Sequence, residues 1–156
     1  MRFIPTLALF CLAALPAAAG WSVTQDGTAL IENAGHASLA LRCDNNVNTG
    51  NKPSWRLELA MTGLPQNLGP QVEMKFQFPG RHSLTVLGEH RLGKIYYDGM
   101  EHATQSDINA IISRLKSASA VTVSLTNASS GAVSDEATFG LTGSSKAIRT
   151  IAKACQ

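Results

Sequence analysis

No Cys-x-x-Cys pair, no His-x-x-x-His pair and no Gly-x-Ser-x-Gly turn occurs in these 156 residues. Thiol redox centres and most zinc sites place two ligands within a few residues of each other, so local spacing supports neither here. The nucleophile turn of the α/β-hydrolases is missing, and no Ser-x-x-Lys stands at a convincing helix start. An excess of one charge is missing too: thirteen Lys and Arg face eleven Asp and Glu. The charges are scattered, so long-range attraction to nucleic acid or to an anionic membrane is not expected. Beyond the first nineteen residues no apolar run is long enough to cross a bilayer, so no membrane insertion is expected. Cysteine is scarce, with three in all.

What is present begins with residues 1–19, which read as an export signal. Arg2 supplies a positive n-region, residues 3–15 an apolar stretch, and Pro16-Ala17-Ala18-Ala19 the small residues of a cleavage site before Gly20. Residues 20–156 then form a single domain, and the expected location is the periplasm or the exterior. Removing Arg2 leaves twelve basic against eleven acidic residues. Removing Cys11 leaves Cys43 and Cys155. In an oxidising compartment such a pair implies one disulfide; free buried thiols, a metal pair and a redox couple are the alternatives.

Alternation of apolar and polar residues marks the N-terminal two-thirds as antiparallel strands. The clearest are Trp55, Leu57, Leu59 and Met61 against Arg56, Glu58 and Ala60, and then Val72, Met74, Phe76 and Phe78 against Glu73, Lys75 and Gln77. Shorter strands are expected at 21–23, 29–31, 38–43, 84–87, 94–97 and 121–125, and around Phe139 and Leu141. Residues 44–53, rich in Asn and Gly, read as a loop or wide hairpin tip. Two helices follow from 3.6-residue spacing. One starts at Ser106-Asp107 and carries Ile108, Ile111, Ile112 and Leu115. The other opens at Gly143-Ser144-Ser145 and carries Ile148, Ile151, Ala152 and Cys155. The expected fold is α+β: a mostly antiparallel β-sandwich or curled sheet with two packed helices and one disulfide.

Candidate chemistry is sparse. His36, His82, His90 and His102 read as loop histidines, and no metal and no cofactor are expected. A dispersed hydrolase site would need His82, His90 and Glu89, with His102 nearby, to converge. Asp98 with Glu101, and Asp135 with Glu136, read as turn and loop carboxylates. Gly143-Ser144-Ser145-Lys146 reads as a helix start rather than a phosphate loop, and Asn127-Ala128-Ser129 matches a glycosylation acceptor by composition. Tyr96 and Tyr97 are consecutive, so in a strand one of them faces away from the core. With Trp21 they form the candidate binding patch.

The pattern Leu39-x-Leu41-Arg42-Cys43, with the ending Phe139-x-Leu141-x-Gly143-Ser144-Ser145-x-Ala147-Ile148 and Cys155, resembles small exported proteobacterial proteins. These are the VasI-like accessory proteins associated with type VI secretion and, more loosely, the invasion-associated locus B proteins. The resemblance implies an early strand cysteine paired with a C-terminal helix cysteine, and it brings no catalytic residues. The functional expectation is a periplasmic, non-enzymatic binding or accessory protein that recognises a protein or envelope component. An inhibitor using residues 44–53 as a plug is one form of it. An envelope hydrolase and a small-ligand carrier with a cavity under the sheet are the alternatives.

Overall fold

A computed structural model describes residues 20–33, 36–46, 52–64, 68–98 and 102–153. Nine strands make one antiparallel sheet: β1 (Ser22–Val23), β2 (Ala29–Asn33), β3 (Ala37–Asn46), β4 (Lys52–Met61), β5 (Gln71–Gln77), β6 (Leu84–Arg91), β7 (Lys94–Asp98), β8 (Ala120–Asn127) and β9 (Val133–Gly140). Their order across the sheet is β1-β2-β3-β4-β7-β6-β5-β8-β9. Helix α1 (His102–Leu115) connects β7 to β8, and α2 (Ser144–Ala152) follows β9. The α+β expectation holds. The sheet is single and curled, and two stacked sheets are not present among the described residues.

The curl is visible where the two ends of the sheet meet. Strands twist against their neighbours, and over nine of them the twist accumulates into a cylinder-like bend. Here it brings β9 back to β2, and the Asn33 carboxamide donates to the Thr138 carbonyl at 2.9 Å. A register shift between Leu125 and Thr126 marks an irregularity where β8 pairs with β9; such irregularities locally increase twist.

Alternation decides which side is core. Ile31, Leu39, Leu41, Leu57, Leu59, Ile95, Met74, Phe76, Val123 and Phe139 are all buried on the concave side. The helices fill that concavity. Helix α1 packs against β4, β6 and β7 through its stripe of Ile108, Ile111, Ile112 and Leu115. Helix α2 packs against β1, β2, β3 and α1 with Ala147, Ile148 and Ile151 buried.

One buried polar contact locks the two helices together. Gly143, at φ 82°, precedes α2 and offers no side-chain cap. The neighbouring hydroxyl of Ser144 instead donates to the carbonyl of Leu115 at 2.7 Å. A carbonyl orphaned at the end of α1 thereby gains a partner out of reach of water. The same end of α1 is tied to the sheet, because Arg114 donates to the His82 carbonyl and lies over the Phe78 ring.

Two boundaries differ from expectation. Residues 44–53 lie at the β3–β4 hairpin, as the wide-tip reading has it, but the ladder runs further out than expected: β3 and β4 pair from Ala37↔Met61 to Asn46↔Lys52, and 47–51 lie outside the described residues. Cross-strand pairing overrode the turn-like composition, and Pro53 falls beyond the stretch that β7 covers, where proline is tolerated. Helix α1 begins at His102, four residues before the expected cap. Its first turn carries no apolar stripe from which to read a period. The expected export signal and Cys155 lie outside the described residues.

Among the described glycines Gly88 has the least room for a side chain. A Cβ there would lie 2.7 Å from Ile95 Cγ2 and 2.8 Å from Met74 Cε. Gly88→Val should cost about 1–3 kcal/mol by overpacking. Gly140→Ala, with nothing within 4 Å of the new methyl, should leave the urea midpoint almost unchanged. Equal effects of the two substitutions would contradict this packing.

Candidate functional site

The expected aromatic patch is divided by the fold. Tyr97 points inward and is 5 % exposed, whereas Tyr96, one residue earlier, lies on the outer face. Trp21 is buried as well: its backbone N–H donates to the Thr142 carbonyl at 3.2 Å, beside the start of α2. Two of the three rings are therefore core, because strand alternation and the docking of α2 take them there. Tyr96 alone carries the candidate forward.

Burial gives Tyr97 a distinct chemistry. Its hydroxyl donates to the Asp107 carboxylate at 3.3 Å, which ties β7 to α1. Burial first, and then the charge of and hydrogen bond to Asp107, push the Tyr97 pKa up to about 12.

The histidines do not converge. His82 is exposed before β6, and His90 sits near the other end of that strand, so about 20 Å of extended chain separates them. His90 turns inward opposite Ile95 and its Nδ1–H donates to the Gly69 carbonyl at 3.1 Å. Glu89, its neighbour, faces outward opposite Tyr96. The dispersed hydrolase constellation of His82, His90 and Glu89 is thus taken apart by position and by strand alternation. His36 lies in an exposed turn, and His102 opens α1. Among the described residues no group of three or more His, Cys, Asp or Glu could hold a metal ion.

The remaining candidates resolve one by one. Asp98 pairs with Arg56, while Glu101 lies outside the described residues. Glu136 accepts the Ser124 hydroxyl at 2.8 Å. Asn127 Oδ1 accepts the backbone N–H groups of Ser129 and Ser130, a side-chain-closed turn. Gly143 and Ser144 form the helix start already described. Cys43 is half-buried on β3 opposite Trp55 and is not a free thiol.

The outer faces of β3, β4, β7 and β6 carry what sequence reading missed. Arg56 Nε lies 2.6 Å from Asp98, and Lys94 Nζ lies 2.5 Å from Glu58. The hydrogen bond to Glu58 raises the Lys94 pKa against the opposing pull of partial burial. Arg91 lies over the Tyr96 ring, 4.6 Å from its centroid, and reaches toward Glu89 at 3.9 Å. These partners are distant in sequence and adjacent only by register. The signal available beforehand was opposite charge at the outward positions of separate strands.

Beside this array lies a cleft of about 330 Å³. Ser38 and Ala40 contribute its small side chains, Thr24, Thr28 and Leu30 line it from the β1–β2 side, and Arg42, Glu58 and Lys94 line it with charge. Thr24 and Thr28 both donate to Asp26 at its edge and hold its carboxyl below the usual carboxylate range. Exposed ion pairs of this kind contribute about 0.2–1 kcal/mol each, so the array adds little to folding. It offers fixed donors, acceptors and one ring on a rigid surface, an arrangement suited to recognition.

No family model matches the chain, and no curated protein or solved structure does either. Among the described residues no helix is long and apolar enough to cross a membrane.

The Tyr97 shift sets a pH window. Its folded pKa is above the ordinary 10.0, so the stability it contributes is complete below about pH 10 and is lost as pH rises toward 12. Tyr97→Phe should flatten the fall in urea midpoint between pH 10 and 12. An unchanged alkaline slope would show that another group governs it.

Proposed function

We propose that this chain is an exported, non-enzymatic binding protein of the cell envelope, which recognises a protein or envelope component through the outer face of its curled sheet. The observation that carries the reading is the division of labour between the two faces. Both helices occupy the concave side with apolar side chains, and Tyr96 with its stacked Arg91 stands outside among paired charges. Tyr and Arg on a preorganised surface are the side chains that most often dominate protein interfaces, and a rigid sheet loses little entropy on binding. The carrier alternative has less support, because the space under the sheet is where α1 and α2 pack. The hydrolase alternative has less support because its residues stand apart.

Export through residues 1–19, a periplasmic or secreted location and kinship with the type VI secretion-associated VasI-like group belong to the same proposal. So does a Cys43–Cys155 disulfide. Its support is that Cys43 is not a free thiol, and that α2 packs against β1, β2 and β3 before the chain continues to Cys155. A bridge closing so long a loop stabilises by up to about 4–5 kcal/mol in the chain-entropy treatment.

Two measurements test this reading. Tyr96→Ala should weaken capture of the partner from the exported fraction at least tenfold while leaving the thermal midpoint within about 2 °C. Retained capture would move the recognition surface elsewhere. Intact mass under non-reducing conditions should be two hydrogens below that of the reduced chain; two titratable thiols in freshly isolated protein would remove the staple.

A further inference from the structure

The hairpin joining β6 to β7 is closed by two residues, Leu92 and Gly93, at φ 52° and 72°. A two-residue turn with both centres in the left-handed region favours Asn-Gly or Asp-Gly, because Asn and Asp tolerate that conformation and glycine has no Cβ to clash. Gly93 fits this requirement and Leu92 does not. It is the one non-glycine residue with positive φ among the described residues. It is also 93 % exposed, the highest value among the exposed large apolar side chains. A leucine here is unfavourable on two counts, backbone and solvent, and it packs against nothing that would offset either.

Its surroundings indicate what it meets. Arg91 and Lys94 pair directly across the turn, so two cations flank the leucine. Arg91 is held over Tyr96, and Leu87, half-exposed, lies four residues back along the same outward row of β6. Lys94 is paired with Glu58, so the result is an apolar tip beside the exposed charge of Arg91, continuous with the recognition face. We propose that Leu92 is the anchor this hairpin inserts into a partner protein, in an apolar pocket whose rim carries a carboxylate facing Arg91. The proposal rests on the recognition reading above and names the partner's chemistry. A lipid surface fits less well: one leucine with two cations falls short of the two full signals that stable membrane attachment takes.

The test separates folding from binding. Leu92→Asn should raise the thermal midpoint by about 2–4 °C, because asparagine tolerates the left-handed turn. A lower midpoint would show that Leu92 serves the fold and would overturn the proposal. In parallel, the full chain carrying p-benzoylphenylalanine at position 87 is photolysed in cells of its own host, with position 133 on β9 as the control. Position 87 should give one discrete protein adduct that position 133 does not. Its yield should fall at least tenfold with Leu92→Asn and with Arg91→Glu, and the linked peptide should carry Asp or Glu beside apolar residues. An adduct to lipid or to a second copy of this chain would overturn the proposal, as would one indifferent to Leu92→Asn. The last of these would leave the recognition face standing, whereas no adduct from position 87 would count against both.

Discussion

The stripe of Ile108, Ile111, Ile112 and Leu115 on α1 sets the shape of everything around it. A sheet of nine strands has one apolar face too large to leave in water, and it can cover that face only by curling around something. Helix α1 supplies the filling, with all four side chains at 6 % exposure or less. Full burial of such a side chain contributes about 1.5–3 kcal/mol. Once α1 is seated, α2 completes the filling below β1, β2 and β3, and the Ser144–Leu115 hydrogen bond fixes how the two helices meet. The curl, the contact between β2 and β9 and the burial of Trp21 and Tyr97 all follow from what lies inside.

The filled concavity bears on the proposed function. Folds that bind small molecules usually keep a concave, mostly apolar pocket. Among the described residues that side holds the core, and the charged and aromatic groups beside the cleft stand on the outer face and its rim. There the register of β4, β7 and β6 aligns Glu58, Tyr96 and Glu89 in one row, with Arg56 and Asp98 in the next. Paired charges, a stacked ring and small side chains around Ser38 and Ala40 give a surface with strong directional preferences and little bearing on stability. That combination is what the proposed recognition of another surface draws on.

Much of this fold was legible in the chain. Strict alternation in 55–61 and 72–78 identified two strands and their buried faces, and 3.6-residue spacing identified the apolar stripe of each helix. Less could be read where tertiary pairing decides. At the two ends of the Asn-rich 44–53 stretch the β3–β4 ladder runs on as far as Asn46 and Lys52 because the strands below them are already aligned, and the first turn of α1 lacked the stripe from which a period is read. The candidate site was legible by half. Adjacent tyrosines had to split between faces, but which of them turned outward depended on the pairing of Glu58 with Tyr96 and Leu57 with Tyr97. The strained turn at Leu92 could not be read at all, since leucine carries no turn signal.

Native-state hydrogen exchange tests most directly whether the helices are core. If α1 fills the concavity, the amides of Ile111, Ile112 and Leu115 should exchange as slowly as those of Leu57, Leu59 and Met74, all through global unfolding. Fast exchange in α1 with the sheet still protected would contradict this. It would make the helix a lid over a pocket and return the concave face to function.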